Sequence, residues 1–325
     1  MILLTGATGF LGEYILRELL EAKYEVRTLV RNPKNRHLPW RSMVDIAEGD
    51  ILDILSLEKA MEGVEAVIHA AAYVSFWRKK RDLVREVNVQ GTANLVNYAL
   101  KQENPPKFIH VSSVAGIGRS RKGMNSEDTE WKIKDAASTY AISKKESEYE
   151  VYRGIGEGLH GIILNPGLIL GPTRDWNSGT GKIFTQVDKG LPFYKKASTG
   201  MVGVKDVARA CRMMLEKEIE VGKRFILVSE NWSYHHLLGE IAQALGKKAP
   251  AIRIPGTLAL LGGRLVEFMA NFGEEEPGIT LESMKSSNSE DHYDGSRITQ
   301  LGFSYTSIEE VIREAAAAFK KDNPN

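Results

Sequence analysis

Hydrophobic positions begin at the second residue. Ile2, Leu3 and Leu4 form a short apolar run without polar alternation, the pattern of a strand buried on both faces. It passes directly into Thr5-Gly6-Ala7-Thr8-Gly9-Phe10-Leu11-Gly12. Leu11, Ile15, Leu16, Leu19 and Leu20 then recur at helical period, so one stripe of a helix faces a sheet. The alternation repeats. Strands are predicted at Val26–Val30, around Val44 and Ile46, at Ala66–His69 and at Phe108–Val111. A helix from near Ile54 to Glu62 stops at Gly63, and a long one from near Arg81 to Lys101 precedes Pro105-Pro106. A sixth strand falls at Ile162–Leu164. Parallel neighbours need crossover connections of one hand, so these units predict an α/β, doubly wound parallel sheet of the Rossmann kind with helices on both faces. Ligands of such sheets lie at the carboxyl ends of the strands.

Beyond the sixth strand the pattern is mixed. Residues 1–170 read as a nucleotide-binding domain to which 202–230 return, and 171–201 with 231–300 as a smaller, mostly helical substrate-binding region. Residues 301–325 read as a last helix and tail, with the capping box Ser307-Ile308-Glu309-Glu310 at its start and a frayed end from Lys321. Thr173–Gly181, glycine-rich and polar, suits a lid.

Composition narrows the partners. With 26% charged residues and a net charge of +1, no basic surface for nucleic acid is implied. The single cysteine, Cys211, excludes an intrachain disulfide and reads as a small buried hydrophobe in the helical segment Val204–Lys217. The first strand leaves no room for a signal peptide, and no apolar run reaches the roughly 18 residues of a membrane span. A cytoplasmic protein without a membrane partner is expected. The most apolar stretch, Leu258–Phe272, contains Arg264 and Glu267 and reads as a helix of the substrate region.

Candidate chemistry clusters at strand ends. Gly6 permits a tight turn, Gly9 lets backbone approach a pyrophosphate, and Gly12 lets the helix pack closely on the sheet. With Thr8, Phe10 and Leu11 they form a dinucleotide-binding turn whose helix N-terminus points at phosphates. Arg31, with Lys34 and Arg36 behind it, ends the second strand, where a guanidinium favours the 2′-phosphate of NADP over NAD. Asp50, beside Ile51, suits either an adenine amino group or a helix cap. Ala70, Ala71 and Ala72 leave room for a cofactor, and His69 reads as a satisfied core histidine. Asn88, Thr92 and Asn94 are poor helix formers, which suits hydrogen bonding across to loops, Asn88 being the inward one. Ser112 and Ser113 follow the fifth strand. Tyr140 and Lys144 share one helix face four residues apart, where a lysine lowers a neighbouring phenol's pKa. Pro166 and Leu168, after the sixth strand, would pass beside a nicotinamide. No metal is called for.

Together these motifs resemble the extended short-chain dehydrogenase/reductases. The match runs from the glycine turn through Gly49-Asp50, His69-Ala70-Ala71, Asn88-Val89-Gln90-Gly91-Thr92, Ser113 and Tyr140/Lys144 to Asn165-Pro166-Gly167, Val204-Lys205-Asp206-Val207-Ala208 and Leu301-Gly302-Phe303. The resemblance implies a catalytic triad of Ser113, Tyr140 and Lys144; Ser113 is preferred over Ser112 because it lies five residues before Gly118. Related dehydratases place an acid pair where Val114 and Ala115 stand here. Related nucleotide-sugar epimerases hold NAD and carry an Arg-Asp-(aromatic)-Ile-His-Val run; Thr199-Gly200-Met201-Val202-Gly203-Val204 lacks both Arg and His. The dihydroflavonol-4-reductase-like branch uses NADPH with an arginine like Arg31, and its run before the aspartate resembles Val202–Asp206. The implied activity is NADP-dependent reduction of a ketone or aldehyde of a small, apolar or aromatic substrate. NAD-dependent epimerisation is the alternative, and a non-catalytic nucleotide sensor is disfavoured because Tyr140 and Lys144 are both present. Tyr73, Phe76, Trp77, Trp176 and Phe193 are candidates for an apolar pocket. A homodimer through the helices bearing Asn88 and Tyr140 is a further implication of the resemblance.

Overall fold

The computed structural model describes residues 1–323 apart from 36–37, 121–122, 134–135, 137, 257–261, 263, 265, 267–275, 278–279 and 287–288. Its centre is β1 (Ile2–Thr5), paired in parallel with β2 (Val26–Val30) on one side and β4 (Ala66–His69) on the other. Thr5 lies level with Leu29 and His69, which brings the carboxyl ends of three strands to one line. With β3 (Asp45–Glu48), β5 (Lys107–Val111), β6 (Gly161–Pro166) and β10 (Arg224–Leu227) they form a seven-stranded sheet in the order β10-β6-β5-β4-β1-β2-β3. Every neighbouring pair is parallel.

Helices cover both faces of this sheet. On one, α1 (Phe10–Glu21) buries Ile15, Leu16 and Leu19 against Val207, Cys211 and Met214 of α7 (Val204–Glu216). On the other, Leu57 and Ala60 of α2 (Ile54–Met61), Leu95 and Val96 of α4 (Gly91–Leu100) and Val151 of α5 (Thr139–Gly156) share a second core with Leu3, Val67 and Phe108. Each fully buried Leu, Ile or Val contributes roughly 1.5–3 kcal/mol of transfer free energy. Cys211 is fully buried, and burial pushes its thiol up, as expected of a small core hydrophobe.

The long helix is not uniform. α3 (Arg81–Arg85) runs into a π turn (Glu86–Gln90) and then into α4. Within the turn, the Thr92 hydroxyl donates to the Asn88 carbonyl at 2.6 Å while the Asn88 side chain leaves the helix to bond elsewhere, a local competition that widens the backbone. The α2 cap is Asp53, whose side chain accepts from the Leu55 N–H, and not Asp50.

The second region holds more strand than its pattern predicts. β7 (Leu168–Leu170), β9 (Ser198–Gly203) and β11 (Glu230–Ser233) form a sheet in the order β11-β9-β7, and β8 (Phe193–Lys195) pairs with β12 (Ile252–Ile254). Strands of three to six residues are too short for the period-2 signal to register. α6 (Gly181–Asp188), α8 (Tyr234–Leu245) and the C-terminal helix Ile308–Asp322 pack on them through Phe184, Leu237, Ile241, Val311 and Phe319. Trp176 is buried in that core, and its indole N–H donates to Asp322 at 2.9 Å. The segment read as a lid is therefore anchored at its middle. Lys321 and Asp322 remain helical, so the expected fraying does not reach them. Most of 258–272 lies outside the described residues. Among the described residues no helix is long and apolar enough to cross a membrane.

Candidate active site

The glycine turn is built by close approach. Gly6 has φ +80°, and a Cβ on it would come within 2.7 Å of the Ala71 nitrogen. A Cβ on Gly12 would come within 2.0 Å of the Gly6 carbonyl oxygen, so only glycine lets α1 start where it does. No side chain caps α1, which leaves the N–H groups of its first turn for an anion. Before the turn opens a cleft of about 380 Å³. Gly6, Thr8 and Gly9 line its floor, Arg31, Asp50 and Ile51 one side, and Ala70, Ala71 and Ala72 the other. Arg31, mostly exposed, holds its Nη1 3.8 Å from Asp50 Oδ2, while Asp50 Oδ1 accepts from the Leu52 N–H. Lys34 is exposed, and Arg36 lies outside the described residues. Tyr73, a candidate for an apolar pocket, also lines the cleft, as do Leu83 and Val87, which carry no distinguishing sequence signal beyond their four-residue spacing.

The other cofactor candidates stand off this cleft. Phe10 borders an adjoining cavity of about 560 Å³ with Trp40 and Arg174. Leu11 packs on the main core, Pro166 ends β6 buried, and Leu168 rests half-buried against the second core. Asn88 is buried and braces the cleft wall: its side chain accepts from the Tyr73 N–H at 2.7 Å and donates to the Tyr73 carbonyl at 3.1 Å and to Ser143 Oγ at 2.9 Å. Asn94 ties to the Ile51 carbonyl at 3.0 Å, so the helix asparagines do bond across to loops. His69 is fully committed, to Thr5 at 2.8 Å and Thr92 at 2.9 Å, and burial lowers it to about 3. A cleft at the strand ends, floored by glycine backbone and an uncapped helix start, fits a dinucleotide.

Past β5 the chain makes a tight turn, Val114–Gly116, with Ser113 at its head. The Ser113 hydroxyl accepts from the Ala115 N–H at 3.2 Å and faces the Tyr140 phenol closely enough to favour its ionised form. Ser112 points away and donates to Glu148 at 2.7 Å, so of the two serines it is Ser113 that meets Tyr140. Ser138 caps α5 by accepting from the Ala141 N–H, and Glu282, from the short helix Leu281–Ser286, accepts from the Thr139 N–H at 2.9 Å. These two bonds fix the helix start, and Tyr140 with it.

Lys144 is buried one turn on and donates to the Val111 carbonyl at 2.8 Å. Burial brings its ammonium down to about 8, opposed by the charge of Glu148. Burial also raises Tyr140, and the Ser113 hydroxyl pulls it partly back. Desolvation is the largest influence on the phenol, and the Lys144 ammonium is held one helical turn away on the Val111 carbonyl. Of the aromatic candidates, Phe76 meets Tyr140 edge-on with ring centroids 5.8 Å apart, and Tyr73 borders the cofactor cleft. Trp77 and Trp176 are core residues and Phe193 is exposed.

The sequence model of the NAD dependent epimerase/dehydratase family matches residues 2–227. A Synechocystis sp. protein with the provisional name dihydroflavonol 4-reductase is 30% identical over 97% of this chain and 93% of its own. Sterol demethylase protein B of Methylococcus capsulatus is 29% identical over 98% of each. Among solved structures, gox2253 superimposes with a TM-score of 0.84 at 30% identity, over 99% of this chain and 98% of that one. The UDP-glucose 4-epimerase of Thermus thermophilus, solved with NAD, gives 0.75 at 22% identity over 98% of each, a likeness of fold alone. With a glycine turn, a cleft at the strand ends and these relatives, the chain belongs to the NAD dependent epimerase/dehydratase family and is an NAD(P)-dependent oxidoreductase of the extended short-chain dehydrogenase/reductase type, on its dihydroflavonol-4-reductase-like side.

Proposed function

We propose that this protein reduces a ketone or aldehyde of a small, apolar or aromatic substrate with NADPH, through Ser113, Tyr140 and Lys144. The observation that carries the reading is the juxtaposition of the Tyr140 phenol and the Ser113 hydroxyl at the end of β5, with Lys144 buried one helical turn away. A bound nicotinamide supplies the hydride. The phenol of Tyr140 gives its proton to the carbonyl oxygen, which the Ser113 hydroxyl holds by hydrogen bond. Lys144 offers its ammonium to the cofactor ribose and stabilises the phenolate left behind. Phe76, edge-on to Tyr140, supports an apolar or aromatic substrate at this point.

Arg31, exposed at the cleft mouth beside Asp50, supports NADPH over NADH, because its guanidinium is free to turn toward a 2′-phosphate at little cost from one long, solvated ion pair. The relatives named as dihydroflavonol 4-reductase and cinnamoyl-CoA reductase support carbonyl reduction. Nucleotide-sugar epimerisation is the second reading, favoured by the fold shared with NAD-bound epimerases. Homodimerisation through the long helical stretch bearing Asn88 and the helix bearing Tyr140 is part of the same proposal, and light scattering at twice the chain mass is its expected sign.

In a screen of aromatic and aliphatic carbonyls, the native chain is expected to oxidise NADPH. Tyr140→Phe is expected to lose about 100-fold or more in kcat while binding NADPH within about threefold of native. Undiminished turnover by that variant would remove Tyr140 from the mechanism.

A further inference from the structure

Glu148 lies one turn beyond Lys144 and two beyond Tyr140 on α5, and it is fully buried. An isolated carboxylate in that position is strongly unfavourable, so its partners define its role. Oε1 accepts from Ser112 Oγ at 2.7 Å and from Asn165 Nδ2 at 2.6 Å. Oε2 accepts from Lys145 Nζ at 3.1 Å and from Arg224 Nη2 at 2.9 Å. The amide of Asn165 also donates to the Ser113 carbonyl at 2.8 Å. A Cβ on Gly116 would come within 2.8 Å of Glu148 Oε1, so the turn after Ser113 rests directly on the carboxylate. Ser112 follows β5, Asn165 is on β6 and Arg224 on β10, which are consecutive strands of the sheet.

Resting on the Ser/Tyr/Lys reading above, we propose that Glu148 is a positioning residue. It clamps the strand end that carries Ser113 to the helix that carries Tyr140, and it sets one negative charge beside Lys144. The helix is a rigid spacer of about 12 Å between positions 140 and 148, so gripping the strand at one end fixes the serine against the phenol at the other. The charge has a separate consequence. Among the groups near Lys144, His69 on β4 and His110 on β5 are held neutral by burial, and the Tyr140 phenol is raised. Glu148 is the group that opposes the burial of the Lys144 ammonium. Around Glu148 itself stand Lys145, Arg224 and Tyr152, the two cations pairing with it at 3.1 and 2.9 Å.

The two consequences separate in experiment. In the full chain labelled with ¹³Cε-lysine, the Lys144 resonance, assigned by its loss in Lys144→Arg, reports the ionisation without any substrate. Glu148→Gln is expected to make Lys144 release its proton about tenfold more readily, one unit lower in pH, whereas Glu148→Asp keeps the native midpoint within about threefold. Ser112→Ala removes the bond from the end of β5 and leaves those from Asn165 and Arg224. It is expected to leave the Lys144 midpoint native and to lower kcat for NADPH-dependent carbonyl reduction by about tenfold at unchanged NADPH affinity. Should Glu148→Gln strand Lys145 and Arg224 and fail to fold, Glu148→Asp and Ser112→Ala decide the matter. A native kcat in Ser112→Ala overturns the clamp, and a Lys144 midpoint that moves in Glu148→Asp, or stays native in a folded Glu148→Gln, overturns the charge effect. Survival of turnover in Tyr140→Phe is a different result, and it removes the triad reading instead.

Discussion

Tyr140 and Lys144 owe their properties to burial, and that sets a pH signature. Lys144 is a cation below about 8 and neutral above it. A step that uses the ammonium is therefore fully active at lower pH and declines as pH rises through that value. The kcat/KM profile of carbonyl reduction is expected to fall between about pH 7 and about pH 9, and a level profile across that interval would contradict the role given to Lys144. Gly12 illustrates the same dependence on close contact. Gly12→Ala sets a methyl group 2.0 Å from the Gly6 carbonyl oxygen, and the expected cost is ~1–3 kcal/mol, read as a lower urea midpoint together with weaker NADPH binding. The glycine turn was legible in the sequence because its spacing and the Gly6–Gly12 contact lie within seven residues of backbone. Glu148 was not, although it falls on the same helix face as Tyr140 and Lys144 at four-residue spacing. Its partners Ser112, Asn165 and Arg224 come from distant points of the chain, and only the folded sheet brings them under one carboxylate.

Elements with one dominant periodicity were read well. The first five strands, α1 and α2 lie close to where the sequence pattern predicts them, and α5 and α7 lie where the Tyr140/Lys144 pair and the segment around Cys211 place them. The π turn at Glu86–Gln90 was missed because hydrogen bonds of Asn88 and Thr92 to other elements decide it, and no local propensity records them. The loop Thr173–Gly181 shows the same limit. Its composition suggests a lid, yet Trp176 packs edge-on against Phe184 and Phe319, the latter on the C-terminal helix. Trp176→Ala is expected to cost ~3–5 kcal/mol in chemical denaturation and to open this loop to limited proteolysis. Native resistance to proteolysis in that variant would show that the indole is not the anchor.

At the scale of the whole molecule, the chain leaves the main sheet after β6 and comes back through α7 and β10, so one sheet is shared by distant parts of the sequence. This return places Arg224 behind the turn that carries Ser113 and builds the network around Glu148 late in the chain. The second core, with Trp176, Phe184 and the C-terminal helix, is organised apart from the sheet and closes over the loop that follows β7. The family's two chemistries differ in what they ask of such a frame. A reductase takes up and releases its cofactor each turnover, whereas an epimerase removes and returns hydride on one retained cofactor. The measurement that separates them is to denature the purified protein, identify any released nucleotide by mass spectrometry, and then titrate the emptied protein with NADPH and NADH, with Arg31→Asp in parallel. Little retained nucleotide is expected, with tighter binding of NADPH than of NADH by about tenfold or more and loss of that preference in Arg31→Asp. One equivalent of retained NAD, or a preference for NADH that Arg31→Asp leaves unchanged, would contradict the reductase reading.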